Sequence, residues 1–238
     1  MAAVGQVEAE TRLGVFPPGL THVAYASYRA ASSAMLLPRE HRPALASDAL
    51  RVLASARGVA LRGTYDTSGY RSDAHVLVWL AAAAPDLLQD ALAAFGRTAV
   101  GATLEPFWTA IGVHRPSERT TTSTPAYFRG ESARRYVCVH PLAYSVDWYL
   151  LEPHLRRRLI ADDQRLAREH PEVRTNAVSA FGMGDHEWLL AHESDQLVKI
   201  VELQRHLRSA AMRRYVRSEL PIITGVRKPF AQILDALP

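Results

Sequence analysis

The feature that most narrows what this chain can fold into is a succession of elements that occurs twice. In the first pass, His22–Tyr28 alternates as a strand, and a helix follows Pro43 with Leu45, Leu50, Val52 and Leu53 as its apolar positions, ending before Gly58. Strands come next at Val59–Tyr65 and His75–Leu80, separated by the turn residues Asp66-Thr-Ser-Gly69. A helix over about Pro85–Phe95 puts Leu87, Leu88 and Leu92 on one face, and the strand-like Phe107–Val113 closes the pass.

The second pass opens with a strand at 135–142 and a helix at about 152–169 with Pro153 in its first turn. Strands are expected at 175–182 and 186–192. A long helix is expected from about Asp195 to Arg217, with Leu197, Ile200, Val201, Leu207, Met212, Tyr215 and Val216 inside, stopped at Leu220-Pro221. Each pass is β-α-β-β-α-β, so the chain is an α+β protein of two tandem ferredoxin-like halves. Each half leaves one sheet face open, and packing the halves together would bury both. The boundaries expected are an arm at 1–19, a first half at 20–118, a polar linker and pocket loop at 119–133, a second half carrying the pocket at 134–228, and a tail at 229–238.

Composition excludes several classes of function. The formal charge of +4 is small for 238 residues, and no basic tract is interleaved with aromatics, so no nucleic-acid partner is expected. No run approaches the ~20 apolar residues of a membrane span, and the acidic, non-apolar N-terminus does not read as a signal peptide. The expectation is a cytoplasmic protein with no membrane partner. The single cysteine, Cys138, alternates with valines and reads as a small buried strand residue rather than a nucleophile.

Several segments carry a family resemblance: Arg62-Gly-Thr-Tyr-Asp-Thr-Ser-Gly69, Trp108-Thr-Ala-Ile-Gly-Val-His-Arg115, the stretch 134–151, Gly184-Asp-His-Glu-Trp-Leu-Leu190, Arg205-His-Leu-Arg208 and Glu219-Leu-Pro-Ile-Ile-Thr-Gly225. Their order and spacing resemble the chlorite dismutase and coproheme decarboxylase family of actinobacterial type, over roughly residues 20–228. The resemblance implies a dimeric α/β barrel with outer helices, assembled as a homopentamer, with one haem-type pocket in the second half. It also implies site residues. The family's radical-bearing tyrosine falls on His140, its iron-ligating histidine on Asp163, its distal histidine on Ser123, and an arginine of the same strand on Tyr144. Tyr65, Trp148, Tyr149, Arg205 and Arg208 are kept.

An imidazole is not a one-electron oxidisable group, but it is a metal ligand and a proton shuttle. Aspartate is a poor axial ligand for haem iron. His154 and His170 are the shifted ligands a helix could offer, and solvated histidines are the plainer account of both. Asp163 shares a stripe with Leu155, Leu159 and Leu166, where a carboxylate is costly unless paired, hydrogen-bonded or bound to metal. The plainer alternative is that Asp162 and Asp163 both reach water. His140, His186 and His192 stand in expected strands, and His186 and His192 share parity. With a carboxylate such as Asp163 or Glu193 they form a candidate site for non-haem iron or copper. The opposing account is a set of unrelated histidines, easy in a chain that has ten of them.

These observations favour a haem-independent enzyme, an oxidoreductase of specialised metabolism acting on a small organic substrate with a non-haem metal or no cofactor. His140 and Trp148 are the candidate catalytic residues, with Tyr65, Ser123, Tyr144, Arg205 and Arg208 binding substrate. His140, His186, His192 and Asp163 are the candidate metal ligands, and haem or coproheme is disfavoured. Two alternatives stand beside it: a coproheme decarboxylase making haem b with relocated haem ligands, and a non-catalytic porphyrin or small-ligand binding protein.

Overall fold

A computed structural model describes residues 20–56, 58–115 and 124–237. The fold is mixed α+β with antiparallel strand pairing, and it divides into two compact units. One comprises Met1–Ile111, Tyr127–Ala133 and Gly225–Pro238; the other comprises Gly112–Ala126 and Arg134–Thr224.

In the first unit the order is β1 (His22–Ala30), α1 (Arg42–Ser55), β2 (Val59–Asp66), β3 (Val76–Ala82), α2 (Pro85–Gly96) and most of β4 (Leu104–Val113). β3 lies between β1 and β2 and is antiparallel to both, with Tyr25 opposite Trp79 and Leu61 opposite Leu80. The strand period of two sorts the side chains. Ala24, Ala26, Tyr28, Val76, Val78 and Leu80 join Leu53, Leu88 and Phe95 of the helices in one core. The alternate positions Tyr25 and Trp79 are also fully buried, with rings 5.0 Å apart. Arg62 is buried beside them, its guanidinium 5.0 Å over Trp79 and donating to the Glu131 carbonyl at 2.7 Å.

Residues 229–238, expected as a tail, instead contain helix α6 (Phe230–Asp235), which buries Phe230, Ile233 and Leu234 in the first unit's core. His75 stands just before β3, where its Nδ1 accepts the Ala30 amide at 2.9 Å.

The second unit runs β5 (Tyr136–Tyr144), a short helix α3 (Val146–Leu150), α4 (Pro153–Arg168), β6 (Arg174–Ser179), β7 (Trp188–Ser194), α5 (Leu197–Leu207) and β8 (Val216–Ser218), and includes the start of β9 (Ile223–Arg227). β7 pairs with β6 on one side and β5 on the other, both antiparallel. This is the same β-α-β-β-α-β connection as the first unit, as the sequence pattern predicts.

Two expectations are corrected here. The long helix 195–217 ends at Leu207. Ala210 turns extended (φ −65°, ψ 138°), Ala211–Tyr215 forms a 3-10 turn, and Val216–Ser218 leaves to pair with Ala143 and Tyr144 of β5. Ladder pairing outweighs the helical spacing of Met212, Tyr215 and Val216. The strand expected from 186 begins at Trp188, because Gly182 and Gly184 take positive φ in the turn ahead of it (73° and 157°). Among the described residues, no helix is long and apolar enough to cross a membrane.

Candidate functional site: a two-histidine pocket in the second unit

Strand β5 directs Cys138, His140, Leu142 and Tyr144 to one face, and β7 directs Trp188, Leu190 and His192 to the same face. Helices α4 and α5 cover it. The alternation in Tyr136-Val-Cys-Val-His140 therefore places an imidazole among core residues rather than in water. His140 and His192 are diagonal neighbours across the strand pair, both buried, with rings stacked 5.5 Å apart.

Around them lies a small recess that encloses about 30 Å3, room for a water rather than for a large ligand, and opens toward solvent. Its apolar wall is Leu142, Leu190, Leu207, Met212 and Val216; its polar lining is Asp163, Gln204, Arg208, Arg213 and Glu219 with the two histidines and Tyr144.

The hydrogen bonds fix much of this lining. His140 Nδ1 lies 3.1 Å from the Pro141 carbonyl, which only accepts, so Nδ1 carries the proton in the neutral ring. His140 Nε2 is then an acceptor, and the Gln204 side-chain nitrogen at 3.2 Å donates to it. His192 Nδ1 lies 3.0 Å from the Thr175 hydroxyl, a group that can donate or accept, so this contact leaves its tautomer open.

Glu219 accepts both branches of the Arg213 guanidinium, the second at 2.6 Å, and Arg208 adds a contact at 3.2 Å. Burial works to raise the Glu219 pKa, but the Arg213 hydrogen bonds, His140 when protonated, and the charges of Arg213 and Arg208 hold it below the ordinary carboxylate value. Asp163, half-buried, also acts on Arg213 through its charge, while Asp162 is exposed. Tyr144 stacks on Trp148 at 4.6 Å, and Trp148 meets Tyr215 at 5.6 Å.

The sequence-derived candidates divide accordingly. His140, Tyr144, Asp163, His192 and Arg208 meet in this pocket, and Trp148 backs Tyr144 from within the core. Arg205 is exposed and does not line it. Tyr65 belongs to the first unit, fully buried opposite Leu77 and Arg227. Ser123 lies outside the described residues.

The expected metal set is not assembled. His186 sits in the turn before β7 rather than on the strand, so its parity with His192 carries no meaning. Glu193 points away from His192, toward Asn176 on the other face. Among the described residues, no group of three or more His, Cys, Asp or Glu is arranged to hold a metal ion. Of the shifted ligands considered on the helix, His154 is exposed, and His170 Nε2 lies 3.0 Å from His206 Nδ1.

Gln204, Arg213 and Glu219 were missed. Their signal was weak, because polar residues at a helix end and in a following loop normally face water. Only the retained Glu219-Leu-Pro-Ile-Ile-Thr-Gly225 segment marked the neighbourhood.

Residues 42–228 match the family model described as chlorite dismutase. A coproheme decarboxylase from Mycolicibacterium smegmatis is 40% identical over 183 residues, covering 76% of this chain and 79% of that protein. A chlorite dismutase double mutant from Candidatus Nitrospira defluvii superposes with a TM-score of 0.81 at 21% identity, covering 94% of this chain and 98% of that one. The same organism's chlorite dismutase in complex with imidazole gives a TM-score of 0.79 at 19% identity, covering 98% and 99%. At those identities the solved structures speak for the fold alone. The haem-independent oxidoreductase expected from the replaced residues is corrected by the 40% relative, whose name and extent point to a haem-related role. Through both the family match and that relative, the chain belongs to the chlorite dismutase family.

Proposed function

We propose that this chain is a coproheme decarboxylase whose iron ligand has moved off helix α4, and that the second-unit pocket receives the porphyrin. The observation that carries the proposal is the 40% identity to a coproheme decarboxylase over three quarters of this chain.

The types of residue that line the pocket suit a porphyrin, and the recess must open to admit one. Coproheme is an iron porphyrin with a flat apolar ring and several propionate carboxylates. Leu142, Leu190, Leu207, Met212 and Val216 supply an apolar wall, and His140 and His192 supply imidazoles of the type that ligates haem iron. Arg208, about half exposed at the rim, keeps donors free for a carboxylate beyond its 3.2 Å contact with Glu219. Asp163 occupies the family's ligand position but belongs to the acid–base cluster around Arg213, and a carboxylate is not among the usual haem ligands.

When bound, the iron supplies the redox chemistry of a peroxide-dependent oxidation. The overall change turns a propionate side chain into a vinyl group and carbon dioxide, a two-electron oxidation in which the peroxide is reduced to water. His140 gives up no electron as a phenol does. Tyr144 lies on the same face of β5, in the same pocket, and offers a phenol stacked on Trp148. The apolar wall and the buried Trp148 keep water from that ring. The expected test is mass spectrometry of the porphyrin after adding peroxide to the coproheme-loaded protein. Loss of two carboxyl groups supports the reading, and unchanged coproheme overturns the decarboxylase assignment.

The reading includes assembly as a homopentamer. Exposed Val146, Leu150, Tyr149 and Phe181, the last two in edge-to-face contact, give the second unit an apolar surface for a neighbouring copy.

A further inference from the structure

We infer that His170 and His206 form a binding site for a divalent transition-metal ion of the copper or zinc class, bridging the ends of helices α4 and α5. Neither histidine lines the recess beside His140, so the site is separate from it and independent of the coproheme reading.

The two imidazoles come from chain segments that are fixed independently. Helix α4 ends at Arg168, and His170 follows in a tight turn. Its N–H donates to the Ala167 carbonyl at 3.1 Å, and its carbonyl accepts the Val173 N–H at 3.0 Å. His206 stands in the last turn of α5, where its carbonyl accepts the Ser209 N–H at 3.0 Å and the Ser209 hydroxyl at 2.7 Å. Backbones held in this way bring His170 Nε2 to 3.0 Å from His206 Nδ1, with the rings 71° apart in plane.

That separation carries the inference. Imidazole nitrogens bind zinc at about 2.0–2.1 Å, so two of them on one ion, at right-angled to tetrahedral geometry, lie about 2.9–3.4 Å apart. In the metal-free protein the same spacing serves a hydrogen bond, one ring donating and the other accepting. A metal ion replaces that shared proton while the nitrogens keep nearly the separation they already have.

The surroundings favour a cation. Glu169 Oε2 lies 3.9 Å from His206 Nδ1, and its other oxygen accepts from Arg165 at 2.7 Å. Both histidines stand at helix C-termini, where the aligned peptide dipoles attract positive charge. Ala167 and Val173, near His170 in sequence, and Leu203 and Leu207, near His206, belong to one apolar cluster. Such a shell limits solvent and strengthens ligation. The His206 side chain is 34% exposed, which gives an ion a way in and leaves water to complete its coordination. Two imidazoles with a nearby carboxylate and water suit copper and zinc.

The test adds copper(II) to the full-length, coproheme-free protein and reads electron paramagnetic resonance. The wild type is expected to bind one ion per chain with hyperfine structure from two nitrogens. His170→Gln and His206→Gln keep a hydrogen-bonding side chain and remove the ligand. Each is expected to lose the two-nitrogen signature and to bind at least ~10-fold more weakly. Glu169→Gln is expected to keep the signature and to bind about threefold more weakly. Zinc(II) should raise the urea midpoint of the wild type and leave that of both histidine variants unchanged. Copper binding that is equal in wild type, His170→Gln and His206→Gln means an adventitious ion only and overturns the site. So does a loss of the signature in His154→Gln instead, or a zinc-induced shift that survives in either histidine variant.

Discussion

Replacing Glu219 by Gln tests whether the acid–base cluster holds the pocket together. The Glu219 side chain is 11% exposed and takes both branches of Arg213, itself 24% exposed, while Arg208 touches it from a position 53% exposed. Breaking one partner of a buried ion pair costs about 3–5 kcal/mol. Two features reduce that figure. The amide oxygen still accepts one Arg213 hydrogen bond, and Arg213 reaches some water. The Arg208 contact adds less than ~1 kcal/mol at its exposure. The expected loss at neutral pH is therefore about 2–3 kcal/mol, or roughly a 1 M fall in the urea midpoint.

The assay is urea unfolding followed by tryptophan fluorescence, with Trp148 and Trp188 reporting on the second unit. The dependence on pH has a definite sign. The folded carboxyl lies below its ordinary value of 4.5, so its stabilisation is present above that value and is lost as pH falls through the lowered one. The deficit of Glu219→Gln should be full at neutral pH and should shrink in acid. A variant within ~0.5 kcal/mol of wild type at neutral pH, or a gap that fails to narrow in acid, refutes the reasoning.

Three further outcomes follow from named groups. Burial pushes the Cys138 thiol up to about 11, so native protein should resist iodoacetamide near neutral pH and react only on unfolding; rapid stoichiometric labelling of the native chain contradicts its placement. Burial also pushes the Tyr28 phenol from 10.0 up to about 12, so its contribution is intact below 10 and is lost as pH rises toward 12. That amounts to about 3 kcal/mol of alkaline destabilisation that Tyr28→Phe should lack, measured by denaturant unfolding. Light scattering on the eluting protein should give five times the chain mass, and Leu150→Glu should lower it; a monomeric wild type removes the pentamer.

Local periodicity made most of the fold legible. The alternation through His140 and the leucine spacing of α2 each follow from one element's own residues, and the repeated β-α-β-β-α-β order follows from them. What was not legible depended on partners distant in sequence. The apolar spacing of Met212, Tyr215 and Val216 fits a helix until the Ala143 and Tyr144 ladder takes Val216–Ser218 as a strand. Likewise, the parity of His186 with His192 presumed a strand that the Gly182 and Gly184 turn delays to Trp188.

The site was half legible for the same reason. Asp163 could be placed by its helical stripe, His140 and Tyr144 by the family resemblance, and His192 only as a histidine in an expected strand. Gln204, Arg213 and Glu219 enter the pocket only because α5 ends and the chain turns back toward β5. On sequence grounds alone, the residues at 140 and 163 point to loss of haem chemistry. The 40% identity to a coproheme decarboxylase overturns that expectation, and no single residue at 140 or 163 could have shown it.

The measurement closest to the central claim is an absorbance titration of ferric coproheme into the purified protein. The account predicts a shifted, sharpened Soret band that saturates at one coproheme per chain and weakens in Arg208→Ala. A spectrum that remains that of free coproheme throughout the titration would contradict it.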